Sequence, residues 1–336
     1  MVTLENVAKA AGVSRSTVSL VLNDHPSIPE TTRARVKQAA VEVGYVYNRR
    51  AASLRSKKSG LIAIAINDLE SPYFAEVVAG AQAELEAQGF MTILSNSGED
   101  AEKQKNFLMR IREFAVDGVL VCPAAGAQTN MIEDIQVWSK SIVVFSRPLD
   151  GMVVDFVGGD NFLGMGLIMD HLIERGHRQI AHIGYNPLVS TSRDRVRCFQ
   201  ERMSSIGRDV PPELVIACDA TREGGYMAMK DLLRSQIKVT AVACHNDVLA
   251  FGAMLAIREA GIVPGKDISI TGSDNVSEAT LWNPGLTTVD VPRGDLGRRA
   301  ARILVEKLKS PNVPIVSEWI EPRLIIRGSS DALVRE

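Results

Sequence analysis

The chain has 336 residues, 46% of them hydrophobic and 23% charged, enough for a small head and a body of one large or two medium domains. Its net charge of -2 conceals a division: residues 1–59 hold ten Lys/Arg against four Asp/Glu, a balance of +6 that leaves -8 for the rest, so only the first segment suits a polyanion. No stretch approaches the roughly 20 apolar residues of a membrane span, and MVTLENVAKAAGV lacks the basic and apolar runs of a secretory signal. The four cysteines, Cys122, Cys198, Cys218 and Cys244, show neither C-x-x-C spacing nor a histidine at ligand spacing. A cytoplasmic protein with reduced core thiols, no metal and no other cofactor is expected.

The first element in the chain is a helix that Thr3 can cap and Gly12 can end. Ser14 can cap a second helix running to about Leu22. A third, from about Glu30, spaces Val36, Ala39, Ala40 and Val43 for burial before Gly44 stops it. The first two fit a helix-turn-helix: Gly12 supplies the tight turn, and Ser14, Arg15, Ser16, Thr17 and Ser19 present short polar or basic side chains where a backbone must approach the major groove. Val7, Ala8, Val18 and Val21 can pack the pair together. From Tyr45 to Ser59 the chain is polar and basic, a linker able to become a short helix capped by Asn48, with Leu54 its one well-placed apolar residue.

From Leu61 onward, β-rich runs alternate with helical patterns. LIAIAI precedes a helix over 72–88, MTILS one over 101–115, VLVC one over 130–139, and IVVF follows. IAHIG precedes a helix over 193–206 and AVAC one over 247–260; ISITGS comes before a helix over 294–309, with terminal strands near 315–326. Repeated βα units with continuous apolar strands predict parallel sheets covered on both faces. So many strands divide most economically into two doubly wound lobes with a cleft between them.

Ligands collect beyond the carboxyl ends of such strands. Tyr73 and Phe74 follow the first strand and read as ring-stacking or core aromatics. Arg195 follows IAHIG, Asn246 and Asp247 follow AVAC, and Asp274 follows ISITGS; together they can satisfy the paired hydroxyls of a sugar, and a purine would use similar groups. Asp247, like Asp160 and Asn161, reads equally well as a helix cap. The chain has no G-x-G-x-x-G after the first strand and no G-x-x-x-x-G-K-[ST]. Its five histidines, His25, His171, His177, His182 and His245, form no spaced set. An enzyme is not expected.

TLENVAKAAGVSRSTVSLVLN, TTRARVKQAAVEVGY and NRRAASLRSKKSG resemble the head and hinge of the LacI/GalR family of bacterial transcription regulators. The likeness continues through DLESPYFAEVVAG, HLIERGHRQIAHIG, ACHNDVLAFGA, ISITGSDN and PGLTTV, covering almost the whole chain in order. It implies an α/β protein: an all-α helix-turn-helix head (1–46), a hinge (47–59), and a core (60–328) of two doubly wound lobes resembling periplasmic sugar-binding proteins. The lobes would be about 60–158 with 290–322, and 159–289, followed by a short tail (329–336). Leu20 and the 68–80 run are similar to the branch of the family that holds the maltose-regulon repressor MalI.

The resemblance places Arg15 and Ser16 at the base-reading positions, where an arginine grips guanine bidentately, and Ser14, Thr17 and Asn23 near phosphates. Leu20 replaces a frequent base-reading arginine, so the half-site preference should change at one base pair. Leu54 falls on the hinge leucine that enters the minor groove and kinks the duplex. Asn48, Arg49 and Ala51 belong to the same DNA-facing segment, and Tyr47 departs from the usual proline. In the cleft the resemblance adds Pro123 and Arg147. Ser146 and Ser273 depart from the acidic residue and tyrosine frequent in sugar-responsive members.

The implied function is a repressor that binds a pseudo-palindromic operator as a homodimer under control of a small effector, a sugar or sugar derivative. The alternatives are control by a protein such as a phosphocarrier, and a sugar-transport component. SSDALVRE after Gly328 reads as too short and polar for a leucine-heptad tetramerisation helix, favouring a dimer.

Overall fold

The structure is a computed structural model that describes residues 2–22, 25–46, 58–139 and 141–332. The chain forms two compact units, Met1–Ser59 and Gly60–Glu336.

The first unit has three helices, α1 (Leu4–Ala11), α2 (Arg15–Leu22) and α3 (Glu30–Glu42). Thr3 begins α1, its backbone N–H donating to Asn6 Oδ1 at 2.9 Å. Gly12 ends it in the left-handed region at φ 62°, a conformation that favours a residue without Cβ. Ser14 caps α2, its Oγ accepting from Thr17 N at 3.1 Å. Val7, Val18, Val21 and Val36 are wholly buried at the centre, while Val43 packs only partly.

The second unit holds two six-stranded sheets. Along the chain its elements are β1 (Leu61–Ile66), α4 (Pro72–Ala87), β2 (Met91–Asn96), α5 (Ala101–Ile111), β3 (Gly118–Val121), α6 (Asn130–Gln136), β4 (Ile142–Phe145) and β5 (Asp155–Gly159). Then come α7 (Asn161–Glu174), β6 (Ile180–Tyr185), α8 (Ser190–Ser205), β7 (Val215–Ala217), α9 (Arg222–Arg234), β8 (Ala241–Cys244) and α10 (Asp247–Glu259). The last are β9 (Ser269–Ser273), β10 (Thr287–Asp290), α11 (Arg293–Lys309), β11 (Ser317–Ile320) and β12 (Arg323–Ile325).

One sheet runs β11-β5-β4-β3-β1-β2, the other β12-β10-β9-β8-β6-β7. Every pair is parallel except β10 with β12, which is antiparallel, so both sheets are dominated by parallel pairs, as expected. Strands such as β3, β4 and β8 are buried at every residue, which explains their unbroken apolar runs.

The chain passes between the sheets after β5, after β10 and between β11 and β12. Residues 323–325 thus join the second lobe, beyond the 159–289 span expected for it. Ser329 and Ser330, expected in a tail, are buried in this lobe: Ser329 Oγ donates to Ile270 O at 2.6 Å and Ser330 Oγ bonds Thr287 Oγ1 at 2.7 Å. The helix expected at 193 begins at Ser190, which puts Thr191 in its first turn. All four cysteines are free, and Cys218 alone among them is partly exposed.

Candidate functional site

In the first unit, Arg15 and Ser16 open α2 and are exposed, so the helix offers a guanidinium and a hydroxyl at its free end. Ser14 and Thr17 are joined by an Oγ···Oγ1 contact of 2.9 Å, so the serine placed near phosphate also builds the cap. Leu20 is one turn further on and 36% exposed, an apolar spot on a polar face. Asn23, Asn48, Arg49, Ala51 and Leu54 lie outside the described residues, as does Tyr47.

In the second unit, loops at the carboxyl ends of the parallel strands converge between the two lobes. Six of the predicted residues, Tyr73, Phe74, Arg147, Arg195, Asn246 and Asp274, line one cavity of about 80 Å³. Tyr73 and Phe74 stand in the first turn of α4, where Pro72 at the start of the helix fixes the entry of the chain. Their rings meet edge to face at 5.3 Å, and Tyr73 OH bonds Ser146 Oγ at 2.7 Å. Burial drives the Tyr73 phenol above its ordinary range, so it remains a neutral donor and acceptor.

Arg147, just past β4, is held by Glu99 through two contacts of 2.8 Å, a bidentate pair. Arg195 is fixed differently: Nε and Nη2 donate to Asn161 Oδ1 at 3.0 and 2.7 Å, and Nη1 donates to the carbonyl of His245. Asn246 caps α10, its Oδ1 accepting from Leu249 N at 2.9 Å, which leaves its amide N–H groups for the cavity.

Asp274 is the unsatisfied member of this set. It is 9% exposed, and among the described residues its carboxylate accepts no hydrogen bond. Burial pushes its pKa up to about 7, against the pull of Arg195. Its backbone stands at φ 117°, and Ser146 and Glu99 also lie at positive φ, 63° and 61°. Strained non-glycine residues persist where the surroundings hold them, and they gather at ligand sites.

Two predicted residues are not in this cavity. Pro123 lines an adjoining outer cavity of about 200 Å³ that also touches Arg147. Asp247 is wholly buried, and its carboxylate is committed to Thr288 Oγ1 and to Val276 N at 2.9 Å. It ties α10 to β10.

Sequence reasoning left Asn161 between cap and site. Asp160 is the cap, accepting from Leu163 N at 2.8 Å, and Asn161 buttresses Arg195. Thr191 and His245 also line the cavity. The signal for His245 was its place directly after β8, beside Asn246. Burial and Arg195 hold its imidazole well below the ordinary pKa, so it is neutral. Among the described residues no cluster of His, Cys, Asp and Glu is arranged to hold a metal, and no helix is long and apolar enough to cross a membrane.

Residues 3–48 match the family described as bacterial regulatory proteins, lacI family, and residues 169–330 match a periplasmic binding protein-like domain. The HTH-type transcriptional repressor PurR of Pasteurella multocida (strain Pm70) is 33% identical over 329 residues, 98% of each chain. That of Yersinia pestis bv. Antiqua (strain Antiqua) is 34% identical over 331 residues, 98% of this chain and 97% of the relative.

Similar solved structures include the lac repressor dimer bound to operator and the anti-inducer ONPF, with a TM-score of 0.87 at 25% identity, covering 98% of this chain and 99% of that one. The regulator CelR in complex with cellobiose has a TM-score of 0.72 at 30% identity, covering 98% and 100%. A LacI family regulator from Enterococcus faecium with bound ribose has 0.71 at 26%, covering 82% and 100%. These relatives are regulators and not enzymes, and with the helix-turn-helix geometry of the first unit they place this chain in the lacI family of bacterial regulatory proteins, as a DNA-binding transcriptional repressor.

Proposed function

We propose that the protein binds a pseudo-palindromic operator as a homodimer, and that a small polar effector, a sugar or sugar derivative, controls its affinity from the cavity between the lobes. One observation carries the effector reading: a nearly buried carboxylate, Asp274, without a hydrogen-bond partner among the described residues, faces a cavity shared with a fixed guanidinium and amide N–H groups. Buried polar groups are normally satisfied. Hydroxyls of a sugar would supply the missing donors, and the edge-to-face aromatics suit a ring. Cellobiose and ribose in the two solved relatives support that class.

The test is thermal unfolding against monosaccharides, disaccharides, sugar alcohols, sugar phosphates and purines. At about 100 times its Kd, a ligand of the native state adds about 2.7 kcal/mol and moves the midpoint by a few degrees. A sugar-specific shift lost in Asp274→Asn supports the reading. Protein that binds duplex DNA yet shifts with none of these compounds argues instead for control by a protein such as a phosphocarrier.

Asp274 also sets a pH dependence. An acid with a raised native pKa binds its proton more tightly folded than unfolded, so its contribution to the stability of the empty protein falls as pH rises from about 4 to about 7. An effector that donates to the carboxylate needs the ionised form, so its affinity should rise between about pH 6 and about pH 8. Calorimetric titration across that range checks this, and a profile as steep in Asp274→Asn as in the wild type assigns the proton to another group.

On the DNA side, Arg15→Ala should lower operator affinity by about 1–3 kcal/mol and relax selection at one guanine. A uniform loss across all sequences would make Arg15 a phosphate contact. With leucine at position 20, site selection should return a half-site altered at one base pair.

A further inference from the structure

The loop that carries Asp274 is fastened by its next residue. Asn275 stands at φ 50°, directly after Asp274 at φ 117°, and asparagine is among the few side chains that adopt positive φ readily. All of its polar groups are engaged. Its backbone N–H donates to Thr288 Oγ1 at 3.2 Å and its Nδ2 to Asp290 Oδ1 at 3.1 Å. Its Oδ1 accepts from Arg327 Nη2 at 2.8 Å, and its backbone carbonyl accepts from Arg293 Nη2 at 3.0 Å. The first three bonds stay with β10 and the segment after β12, in the second lobe. The fourth leaves it, because Arg293 opens α11, which packs in the core of the first lobe.

The same guanidinium is gripped from the other side by Glu76, about one turn along α4 from Tyr73. Arg293 Nε donates to Glu76 Oε2 at 3.0 Å and Nη2 to Oε1 at 3.1 Å, a bidentate, charge-assisted pair whose arginine is only 9% exposed. Nη1 lies 3.8 Å from Asp290 Oδ1. The ion pair at the outer rim of the two lobes is of another kind: Arg193 meets Asp150 at 2.9 Å, but that carboxylate is 91% exposed, and such pairs add little.

We infer that Arg293 is a positioning residue for the effector site: through Glu76 and Asn275 it ties the Tyr73 wall of the deep cavity to the Asp274 wall, and so sets the arrangement of the lobes about that cavity. A planar guanidinium can hold a carboxylate along one edge and give a remaining N–H to a carbonyl in fixed geometry, which the point charge of a lysine does not do. Displacement of one lobe against the other must break or carry the bond to Asn275, and either way moves Asp274 relative to Tyr73. The bearing on the effector rests on the reading of Asp274 proposed above; the tie between the lobes does not.

Pulsed electron paramagnetic resonance of the full chain tests it without any effector. Spin labels at exposed Asp134 on α6 and Gln200 on α8 report the separation of the lobes, in a Cys218→Ser background because the other three cysteines are buried. Labelled chain is diluted with unlabelled chain so that only distances within one chain are read. Arg293→Met should shift or broaden the distance distribution by about 2 Å or more, and Glu76→Gln should change it in the same direction to a smaller degree. Arg302→Met is the control: it removes the Arg302–Glu84 contact of 3.0 Å between the same two helices, wholly within the first lobe, and should leave the distribution as in the wild type. A merely structural role for Arg293 would lower the melting midpoint and leave the distance unchanged. Distributions of folded Arg293→Met and Glu76→Gln that match the wild type overturn the inference, as does an equal broadening in Arg302→Met; if Arg293→Met does not fold, Glu76→Gln alone decides.

Discussion

Gly297→Ala should lower the unfolding free energy by about 2 kcal/mol or more, although alanine is the better helix former by about 1 kcal/mol. The reason is the contact between α4 and α11. A Cβ on Gly297 would lie 1.9 Å from Val77 O and 2.8 Å from Ala81 N, both backbone atoms, so the helices must separate. Relief is blocked on the same face, where a Cβ on Gly80 would likewise lie 2.1 Å from Gly294 O. Overpacking a tight site typically costs about 1–3 kcal/mol and occasionally more, which exceeds the gain in helix propensity.

Gly294→Ala, one turn earlier in α11, is the control. There a Cβ would meet only the flexible end of Arg298 at 3.5 Å, so stability should hold or rise by up to about 1 kcal/mol. Circular-dichroism melts should show Gly297→Ala lower by about 4 °C and Gly294→Ala unchanged or higher. If Gly297→Ala melts with the wild type, the close approach of the helices is not there. The consequence reaches the site, because α4 carries Tyr73 and Phe74 in its first turn: protein that still folds should bind effector more weakly.

The second large effect is at Lys307 and Asp155, an ion pair of 3.1 Å with side chains only 7% and 4% exposed. Lys307 Nζ also donates to Val313 O at 3.0 Å, and Asp155 Oδ1 accepts from Val316 N at 2.8 Å. The pair therefore fixes the segment that enters β11 to both α11 and β5. Lys307→Met should cost about 3–5 kcal/mol, since it strands a buried carboxylate.

Adding Asp155→Asn to Lys307→Met removes the stranded charge and keeps an oxygen for Val316 N–H. The double variant should recover most of the loss, because a buried pair as a whole adds little over neutral groups of similar shape. Chemical denaturation of the two variants decides it. A double variant no more stable than Lys307→Met would mean that the lysine acts through its bonds to the carbonyls, and not through Asp155.

What the sequence revealed of this fold follows from how each element is stabilised. Strands buried on both faces announce themselves as apolar runs, as in LIAIAI and AVAC. β10 does not, because Thr287 and Thr288 are buried through side-chain hydrogen bonds to Ser330 and Asp247 and their polarity hides the strand. The adjacent glycines of α9 weaken its helical pattern. They are there for packing, since a Cβ on Gly225 would lie 2.1 Å from Leu249 O. Short β5 and β7 gave no periodic signal either.

The candidate site was legible where a strand-end position alone marks a residue. Tyr73, Arg195, Asn246 and Asp274 all follow strand ends, and the structure gathers them in one cavity. Partners that act through another side chain carry no such mark. Glu99 reaches Arg147 across 48 residues and Asn161 reaches Arg195 across 34, distances that no local pattern spans. Asp247 has a strand-end address as good as that of Asp274, yet its carboxylate is used up inside the lobe. Nothing local distinguishes the two aspartates. The difference lies in Thr288, 41 residues away.

On the function proposed, cavity and head are thermodynamically linked, and the link is read by operator affinity against effector concentration, by fluorescence anisotropy of a labelled duplex, paired with effector affinity with and without operator. Linkage requires both affinities to change by the same factor, about 5- to 150-fold for typical couplings. The two factors should be equal in the wild type and absent in Asp274→Asn. Operator affinity that stays constant up to saturating effector would contradict it.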